Sequence, residues 1–180
     1  MNNDKLILHY SACRLWNQGK YDEAISYLMG NPEEKNKSEA MVNGSRLHAL
    51  IESNKLKLFE TLSDKREYEV YRRVELNQFF DYAGTIDMLD LGDEVIIYDW
   101  KSGVTDILSF PKMQVYCYSL LVPEAKEARI VKINEVDGLI VVENYVIYKL
   151  TESKRELARN YLETTGSDII QYLRKETSDE

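Results

Sequence analysis

Two segments with the composition of β-strands lie on either side of a short turn in the middle of this 180-residue chain. They cover 83–87 and 95–101, and the residues expected in strands (Ile, Val, Tyr and Trp) are frequent in the second segment. The intervening Leu91-Gly92-Asp93-Glu94 is typical of a turn. A hairpin centred on Asp93 would place Asp87 directly opposite Asp99.

Such a pair of acidic residues constrains what the hairpin can do. Facing residues of an antiparallel pair have Cβ atoms roughly 4.5–5.5 Å apart, so the two carboxylates would repel each other unless a cation or a shared proton lay between them. Lys101 follows Asp99 by two residues and projects from the same face of the strand, whereas Trp100 points to the opposite face. The pattern predicts a divalent metal site beside a lysine, with the ring of Trp100 in the core.

The bulk composition indicates a single globular domain over residues 1–180. The chain is 44% hydrophobic and 30% charged, and its length suffices for a sizeable core. No apolar run approaches the roughly 20 residues of a membrane span, and the N-terminus does not resemble a signal peptide. We therefore expect a cytoplasmic protein, in which Cys13 and Cys117 are reduced thiols in the core.

The net charge of −8 taken alone disfavours nucleic acid as a partner. Carboxylates that bind metal add to this negative charge without lining a substrate groove. Basic pairs such as Arg72-Arg73 and Arg129 with Lys132 would still allow a locally positive groove. The charge therefore leaves nucleic acid binding open.

Periodicity along the chain predicts an α/β or α+β fold with a central mixed β-sheet flanked by helices. The predicted elements are N-terminal helices within about 5–53, interrupted at Gly19 and by a loop at 31–37; strands at 56–62 and 66–77; the hairpin at about 82–101; a helix at 110–122; strands at 128–136 and 139–150; and a C-terminal helix at 152–176 with a break at 165–167.

Four short motifs occur in order between residues 44 and 118. They are Gly44-Ser45-Arg46-Leu47-His48 on a predicted helix, Gly84-Thr85-Ile86-Asp87 on a strand, Asp99-Trp100-Lys101-Ser102-Gly103 on the next strand, and Gln114-Val115-Tyr116-Cys117-Tyr118 on a helix. In this order and on these elements, the chain resembles the PD-(D/E)XK nuclease superfamily and, within it, the RecB-like exonuclease branch.

The resemblance implies a restriction-endonuclease-like core and a metal-dependent deoxyribonuclease, with exonuclease activity favoured. It implies Mg²⁺ or Mn²⁺ held by His48, Asp87, Asp99 and the backbone carbonyl of Trp100, since hard cations prefer carboxylate and carbonyl oxygens. Asp87 and Asp99, together with Lys101, Gln114 and Tyr118, would form the catalytic site. Some relatives carry an iron–sulfur cluster on four cysteines; with two cysteines, this chain is expected to have none.

The resemblance also implies DNA as the partner, in recombination, repair or the DNA processing of a bacterium, phage or mobile element. Because the sequence contains no phosphate-binding loop of the motor type, any unwinding would come from a helicase or from a recombination or annealing protein. Two other functions stay open: a DNA-binding or interaction module of a larger nuclease complex, and a small-molecule metal hydrolase. The oligomeric state is not predicted.

Three further residues lie outside the four motifs. Glu52, four residues after His48, would orient the imidazole or be a solvated acid. Glu75, near the end of a strand, is a candidate for a further acidic site residue. His9 lies outside the four motifs and is interpreted as structural.

Overall fold

The computed structural model describes residues 5–30, 46, 49–51, 62–103, 106–137 and 139–176. The elements, in chain order, are β1 (Leu6–Leu8), α1 (Tyr10–Asn17), α2 (Tyr21–Leu28), β2 (Arg66–Glu75), β3 (Phe80–Leu91), β4 (Val95–Lys101), a 3₁₀ turn (Ile107–Ser109), α3 (Lys112–Leu121), β5 (Glu127–Val136), β6 (Leu139–Lys149) and α4 (Glu152–Glu176).

The described strands form one six-stranded mixed sheet, which confirms the predicted α/β class. Strand β2 runs antiparallel along one edge of β3 over most of its length. On the other edge, β1 pairs in parallel with 80–82, and β4 pairs antiparallel with 88–91. Strand β5 joins β4 in parallel and β6 joins β5 antiparallel, so the sheet mixes both pairings.

Two different strands therefore share one edge of β3, and the sheet opens between them. Among the described residues, positions 83–87 have no strand partner on that edge, because β1 stops pairing at 82 and β4 starts at 88. We call residues 83–87 the fork. The chain diverges from β3 on both sides of the fork. On one side it does so at His9, directly after β1, and on the other side at residues 99–101, the end of β4.

The register of the hairpin agrees with the prediction. Met88 pairs with Tyr98, and Leu89 pairs with Ile97. Asp87 and Asp99 lie one position beyond the last pair, where β3 and β4 separate. The turn composition and the alternation of the strands were sufficient to predict this local pairing.

Packed side chains cover both faces of the sheet. The cluster on one face includes Leu8, Tyr82, Ile97, Val115 and Leu162, which joins β1, β3, β4, α3 and α4. The opposite cluster contains Met88, Tyr98 and Trp100. The Trp100 ring is 3% exposed and stacks on Tyr98 with ring centroids 5.4 Å apart, so it lies in the core as expected.

The N-terminal prediction is wrong at its start. Residues Leu6–Leu8, expected to be helical, form β1 and pair with 80–82. A short apolar run has no periodicity that separates helix from strand, so only the long-range partner decides its conformation. The interruption at Gly19 is confirmed, since its φ of +76° is a conformation that glycine adopts readily.

The predicted break at 165–167 is also wrong, because α4 continues from Glu152 to Glu176. Gly166 lies against Leu8 and Phe80, and a Cβ atom at this position would be 2.9 Å from an atom of each side chain. The glycine thus allows close packing of the helix on β1 and β3. A glycine in the middle of a helix is less stable than an alanine, and this helix contains one nonetheless.

Several other predictions concern parts of the chain that the structure covers incompletely. Of the helix expected at 38–53, residues 46 and 49–51 are described and are helical. Of the strand expected at 56–62, residues 56–61 lie outside the described residues. Cys13 and Cys117 are both free and buried. In the described part of the chain, no helix is both long and apolar enough to cross a membrane.

Candidate active site

Three charged side chains meet where β3 and β4 separate. Lys101 Nζ lies 3.0 Å from Asp99 Oδ1 and 2.8 Å from Asp99 Oδ2. Asp87 accepts a 2.7 Å hydrogen bond at Oδ2 from the backbone N–H of Trp100. The carboxylate of Asp87 thus joins β3 to β4 at the point where the backbone ladder ends. We call Asp87, Asp99 and Lys101 the charged cluster.

The two carboxylates of the charged cluster interact strongly. Burial, and after it the negative charge of Asp99, raises the pKa of Asp87 to about 8. The ammonium of Lys101 and the N–H of Trp100 favour the ionised form, but they do not outweigh these two effects. Asp99 itself is only 1% exposed. When both carboxylates are ionised, their charge exceeds that of Lys101 by one, and a proton on Asp87 or a bound cation would relieve this excess.

Two polar residues of α3 extend the cluster. Lys101 Nζ also donates to Gln114 Oε1 at 3.3 Å, and Gln114 Nε2 donates to Tyr118 Oη at 3.0 Å. Gln114 and Tyr118 are one helical turn apart, so both side chains project from one side of α3. This chain of contacts fixes the position of the lysine between Asp99 and the helix.

Gly84 explains how α3 approaches the fork so closely. A Cβ atom at Gly84 would be 3.3 Å from Leu121 Cδ1 and 3.5 Å from Tyr118 Cε1, both on α3. A Cβ atom at this position would require the end of the Leu121 side chain to shift by a few tenths of an ångström. The motif Gly84-Thr85-Ile86-Asp87 therefore contributes Asp87 to the charged cluster and, through Gly84, a close contact between β3 and α3.

Glu69 lies opposite Asp87 on β2, a position that sequence reasoning did not predict. The pairs Tyr68 with Met88 and Val70 with Ile86 place Glu69 opposite Asp87, and Glu69 interrupts the β2–β3 ladder with a φ of +47°. Its charge contributes to the raised pKa of Asp87. A non-glycine residue at positive φ is strained, and such strain is frequent at functional sites. The alternating sequence pattern of β2 does not predict the positive φ of Glu69 or its position opposite Asp87.

The donor set fits a divalent cation in part. Two adjacent carboxylates provide the oxygen ligands that Mg²⁺ and Mn²⁺ prefer, and a cation between them would offset their repulsion. No group of three or more His, Cys, Asp or Glu side chains in the described part of the chain could hold a metal ion. His48, the predicted third side-chain ligand, lies outside the described residues, as do Gly44 and Glu52. The roles of His48 and of the Trp100 carbonyl stay predictions.

The other two candidates have clear positions. Glu75 is away from the charged cluster: it pairs with Asp81 in the sheet register and forms a 2.7 Å ion pair with Lys5. His9 lines a cavity together with Gln114 and Tyr118, directly beside the charged cluster. The structure therefore places His9 next to the site, although the sequence offered no motif around it.

Comparisons with known proteins show the fold. The chain matches no protein-family model, and no curated protein matches it in sequence. LHK-Exo, an alkaline exonuclease from Laribacter hongkongensis, matches in structure with a TM-score of 0.60 at 14% identity, over 97% of this chain and 94% of that chain. A crystal structure of LHK-Exo in complex with dAMP matches equally in TM-score and coverage, at 16% identity.

A candidate exonuclease from Eubacterium rectale has the same architecture. It matches with a TM-score of 0.58 at 14% identity, over 94% of this chain and 81% of that chain. These structures share the mixed sheet with flanking helices described above. The chain therefore has the fold of these exonuclease structures, and the charged cluster at the fork is the candidate site on that fold.

Proposed function

We propose that this chain is a metal-dependent deoxyribonuclease that hydrolyses DNA phosphodiester bonds as an exonuclease. One observation carries the proposal: Asp87, Asp99 and Lys101 meet at the opening between β3 and β4, on a fold shared with exonucleases. A residue constellation defines chemistry more specifically than a fold, and here the two agree. The intact motifs favour the RecB-like branch.

The carboxylates of Asp87 and Asp99 would hold Mg²⁺ or Mn²⁺, with His48 and the Trp100 carbonyl completing the site. When bound, the ion would supply Lewis acidity toward the phosphate and a water molecule of lowered pKa. Trp100 N–H keeps Asp87 turned toward β4, so the two carboxylates are presented together.

Lys101 would stabilise the charge that develops on the phosphate and position the attacking water. Its ammonium already lies between Asp99 and Gln114, so it needs little rearrangement to act at the same point. Gln114 holds the ammonium and Tyr118 holds Gln114. These two residues are expected to set the position of Lys101, so that replacing them lowers kcat without removing the metal.

The process is proposed by resemblance: recombination, repair, or the DNA processing of a phage or mobile element. DNA is the proposed partner, and a helicase or a recombination or annealing protein would supply unwinding. The dAMP bound to LHK-Exo is a product-like fragment of DNA, which agrees with a DNA substrate.

Digestion of DNA tests the proposal directly. Labelled linear DNA and covalently closed circular DNA, each single- and double-stranded, are incubated with Mg²⁺, Mn²⁺ or EDTA. We expect cutting of linear DNA alone, lost in EDTA and reduced by more than about 100-fold in Asp99→Asn and Lys101→Met. The exposed residues Asp93 and Lys126 provide matched controls, and Asp93→Asn and Lys126→Met should retain activity.

The other outcomes separate the alternatives. If closed circles are cut and the same two variants lose this activity, the protein is an endonuclease that uses the same site, and the proposal of an exonuclease is wrong. An absence of cutting with any substrate, together with DNA binding that Asp99→Asn leaves unchanged, would contradict the proposal and favour an interaction module of a larger nuclease complex.

A further inference from the structure

A cavity of about 240 Å³ lies beside the charged cluster, in the opening that the fork leaves between β1 and β4. Its walls come from the start of α1, the end of α2, β2, β3 and α3. We call its polar and aromatic lining the aromatic cleft, formed by His9, Tyr27, Tyr71, Tyr82, Gln114 and Tyr118. Gln114 belongs to both sites, because its side chain also accepts the hydrogen bond from Lys101.

The aromatic cleft is uncharged, although the charged cluster is its neighbour. Among the described residues that line it, there is no Lys, Arg, Asp or Glu. Burial lowers the pKa of His9, whose hydrogen bond to the Ala83 backbone acts in the opposite direction, so the imidazole is neutral at pH 7. A phosphate would find no counter-charge in this cleft, whereas the face of a nucleobase needs none.

Aromatic rings at the mouth of the cleft are accessible for stacking. Tyr71 is 60% exposed and Tyr27 is 41% exposed. His9 contacts Tyr27 edge-on, with ring centroids 5.7 Å apart. Exposed aromatic rings next to a nucleic-acid-cleaving site are suited to stack on bases that are not paired.

A buried hydroxyl in the cleft provides independent support. Tyr82 is fully buried, and its Oη has no hydrogen-bond partner among the described residues. Leaving a buried hydroxyl without a partner costs free energy, and a ligand that supplied one would recover it. Gly84 lies directly beside this hydroxyl, since a Cβ atom there would be 3.4 Å from Tyr82 Oη.

We infer that the aromatic cleft binds the unpaired base of a DNA strand end beside the charged cluster, so that DNA with a single-stranded terminus is the preferred substrate class. The inference rests on the proposed function and specifies which class of DNA end the proposed nuclease would prefer. The base would stack on Tyr27 and Tyr71, its edge would hydrogen-bond with Tyr82 Oη, and Gln114 would separate this base from the reacting phosphate. Base-paired ends would have to fray before they entered.

Fluorescence of 2-aminopurine at the terminal position of the DNA tests the inference without any cleavage. The probe is placed on a single-stranded oligonucleotide, on a duplex overhang and on a blunt duplex, and each is titrated with the Lys101→Met protein in Mg²⁺ and again in EDTA. We expect quenching and tighter binding for the two unpaired ends. Because binding is read without cleavage, failure of the cleft and failure of the nuclease proposal give different results.

Tyrosine substitutions identify the binding surface. Tyr27→Ala and Tyr71→Ala should each weaken binding of the unpaired end by about tenfold and reduce the quenching, whereas Tyr27→Phe and Tyr71→Phe keep the stacking ring and should preserve both. Tyr145→Ala removes a tyrosine that is 45% exposed on β6, outside the cleft, and serves as the matched control. Unchanged affinity in both alanine variants, or equal affinity for blunt and unpaired ends, would overturn the inference.

Tyr82→Phe separates binding from folding. Loss of an unpartnered buried hydroxyl should leave the Tm of the free protein unchanged or higher, while the affinity for the unpaired end falls by at least about threefold. A higher Tm with full affinity would show that the hydroxyl makes no contact with DNA, and would overturn the assignment of Tyr82 as part of the base site.

Discussion

Asp87 combines two properties that conflict in the protein without metal. Its carboxylate joins β3 to β4 through Trp100, and it also lies close to a second, almost fully buried carboxylate. Because the pKa of Asp87 is raised to about 8, the folded chain binds a proton there more tightly than the unfolded chain does. Carboxylates kept together at this cost are more easily explained by a ligand than by stability.

The sign of the pH dependence follows from that shift. The unfolded chain loses the Asp87 proton near the ordinary value of 3.8, and the folded chain loses it near 8. The contribution of Asp87 to the free energy of unfolding therefore falls as pH rises from about 4 to about 8. Asp87→Asn removes the charge and retains an oxygen that can accept the Trp100 hydrogen bond.

We predict that Asp87→Asn raises the Tm in EDTA at pH 8.5 by about 2–4 °C, the change expected for about 1 kcal/mol in a chain of this size, and abolishes nuclease activity. Thermal unfolding in EDTA at several pH values measures the difference between wild type and variant, which should grow through the window from 4 to 8. The exposed Asp93→Asn is the control. A variant that is less stable than wild type at high pH would contradict the repulsion described for the charged cluster.

At the scale of elements, the fork results from β1 and β4 sharing one edge of β3. Each strand pairs with a different part of β3, and the side chains of Asp87 and His9 make hydrogen bonds to backbone groups where strand pairing stops. The opening is thus supported by side chains, which provide hydrogen-bond partners for the N–H of Trp100 and for a backbone group of Ala83. Helix α3 then places Gln114 and Tyr118 at this opening.

Helix α4 packs against β1 and β3 at Gly166. Alanine would favour a helix by about 1 kcal/mol over glycine, but its Cβ would be 2.9 Å from atoms of Leu8 and Phe80, and overpacking costs about 1–3 kcal/mol. We predict that Gly166→Ala lowers the Tm by about 2–4 °C, measured by thermal unfolding.

The adjacent exposed residue supplies the control for this helix. Ser167→Ala, which removes a hydroxyl that donates to the Glu163 carbonyl, should change the free energy of unfolding by less than about 0.5 kcal/mol. A Gly166→Ala protein more stable than wild type would show that helix propensity outweighs packing, and that β1 and β3 yield easily at this contact.

For the molecule as a whole, the net charge of −8 has to be reconciled with a DNA substrate. With both carboxylates ionised, the charged cluster has a net negative charge at the place where a phosphate should bind, and a bound cation would offset it. The aromatic cleft contributes contacts that do not depend on charge. Binding should therefore rest on the cation and on a few contacts near one strand end, with little help from a long basic surface.

We predict that the Lys101→Met protein binds single-stranded DNA at least about tenfold more weakly in EDTA than in Mg²⁺. We also predict that log K against log salt has a slope of only about −2 to −3, as expected for a few neutralised phosphates. Fluorescence anisotropy with labelled DNA between about 50 and 200 mM salt measures both quantities. A slope steeper than about −6, or equal affinity in EDTA, would indicate an extensive basic interface and contradict this account.

The sequence alone was informative wherever the relevant residues are close in the chain. The Asp87–Asp99 register depends on one turn, the Asp99–Lys101 contact on the alternation of one strand, and the Gln114–Tyr118 contact on one turn of a helix. Each of these contacts is set by the geometry of a single helix, strand or hairpin. A motif of residue types at fixed spacing is therefore sufficient to predict each contact.

Only the tertiary structure could decide the rest, because those contacts join segments that are distant in the chain. The conformation of Leu6–Leu8 depends on its pairing with β3, and the role of Gly166 depends on Phe80. Likewise, Glu69 reaches Asp87 through the β2–β3 register, and His9 reaches the site through β1. No local pattern encodes these partners: the sequence determined the charged cluster, and long-range packing determined the opening and the aromatic cleft around it.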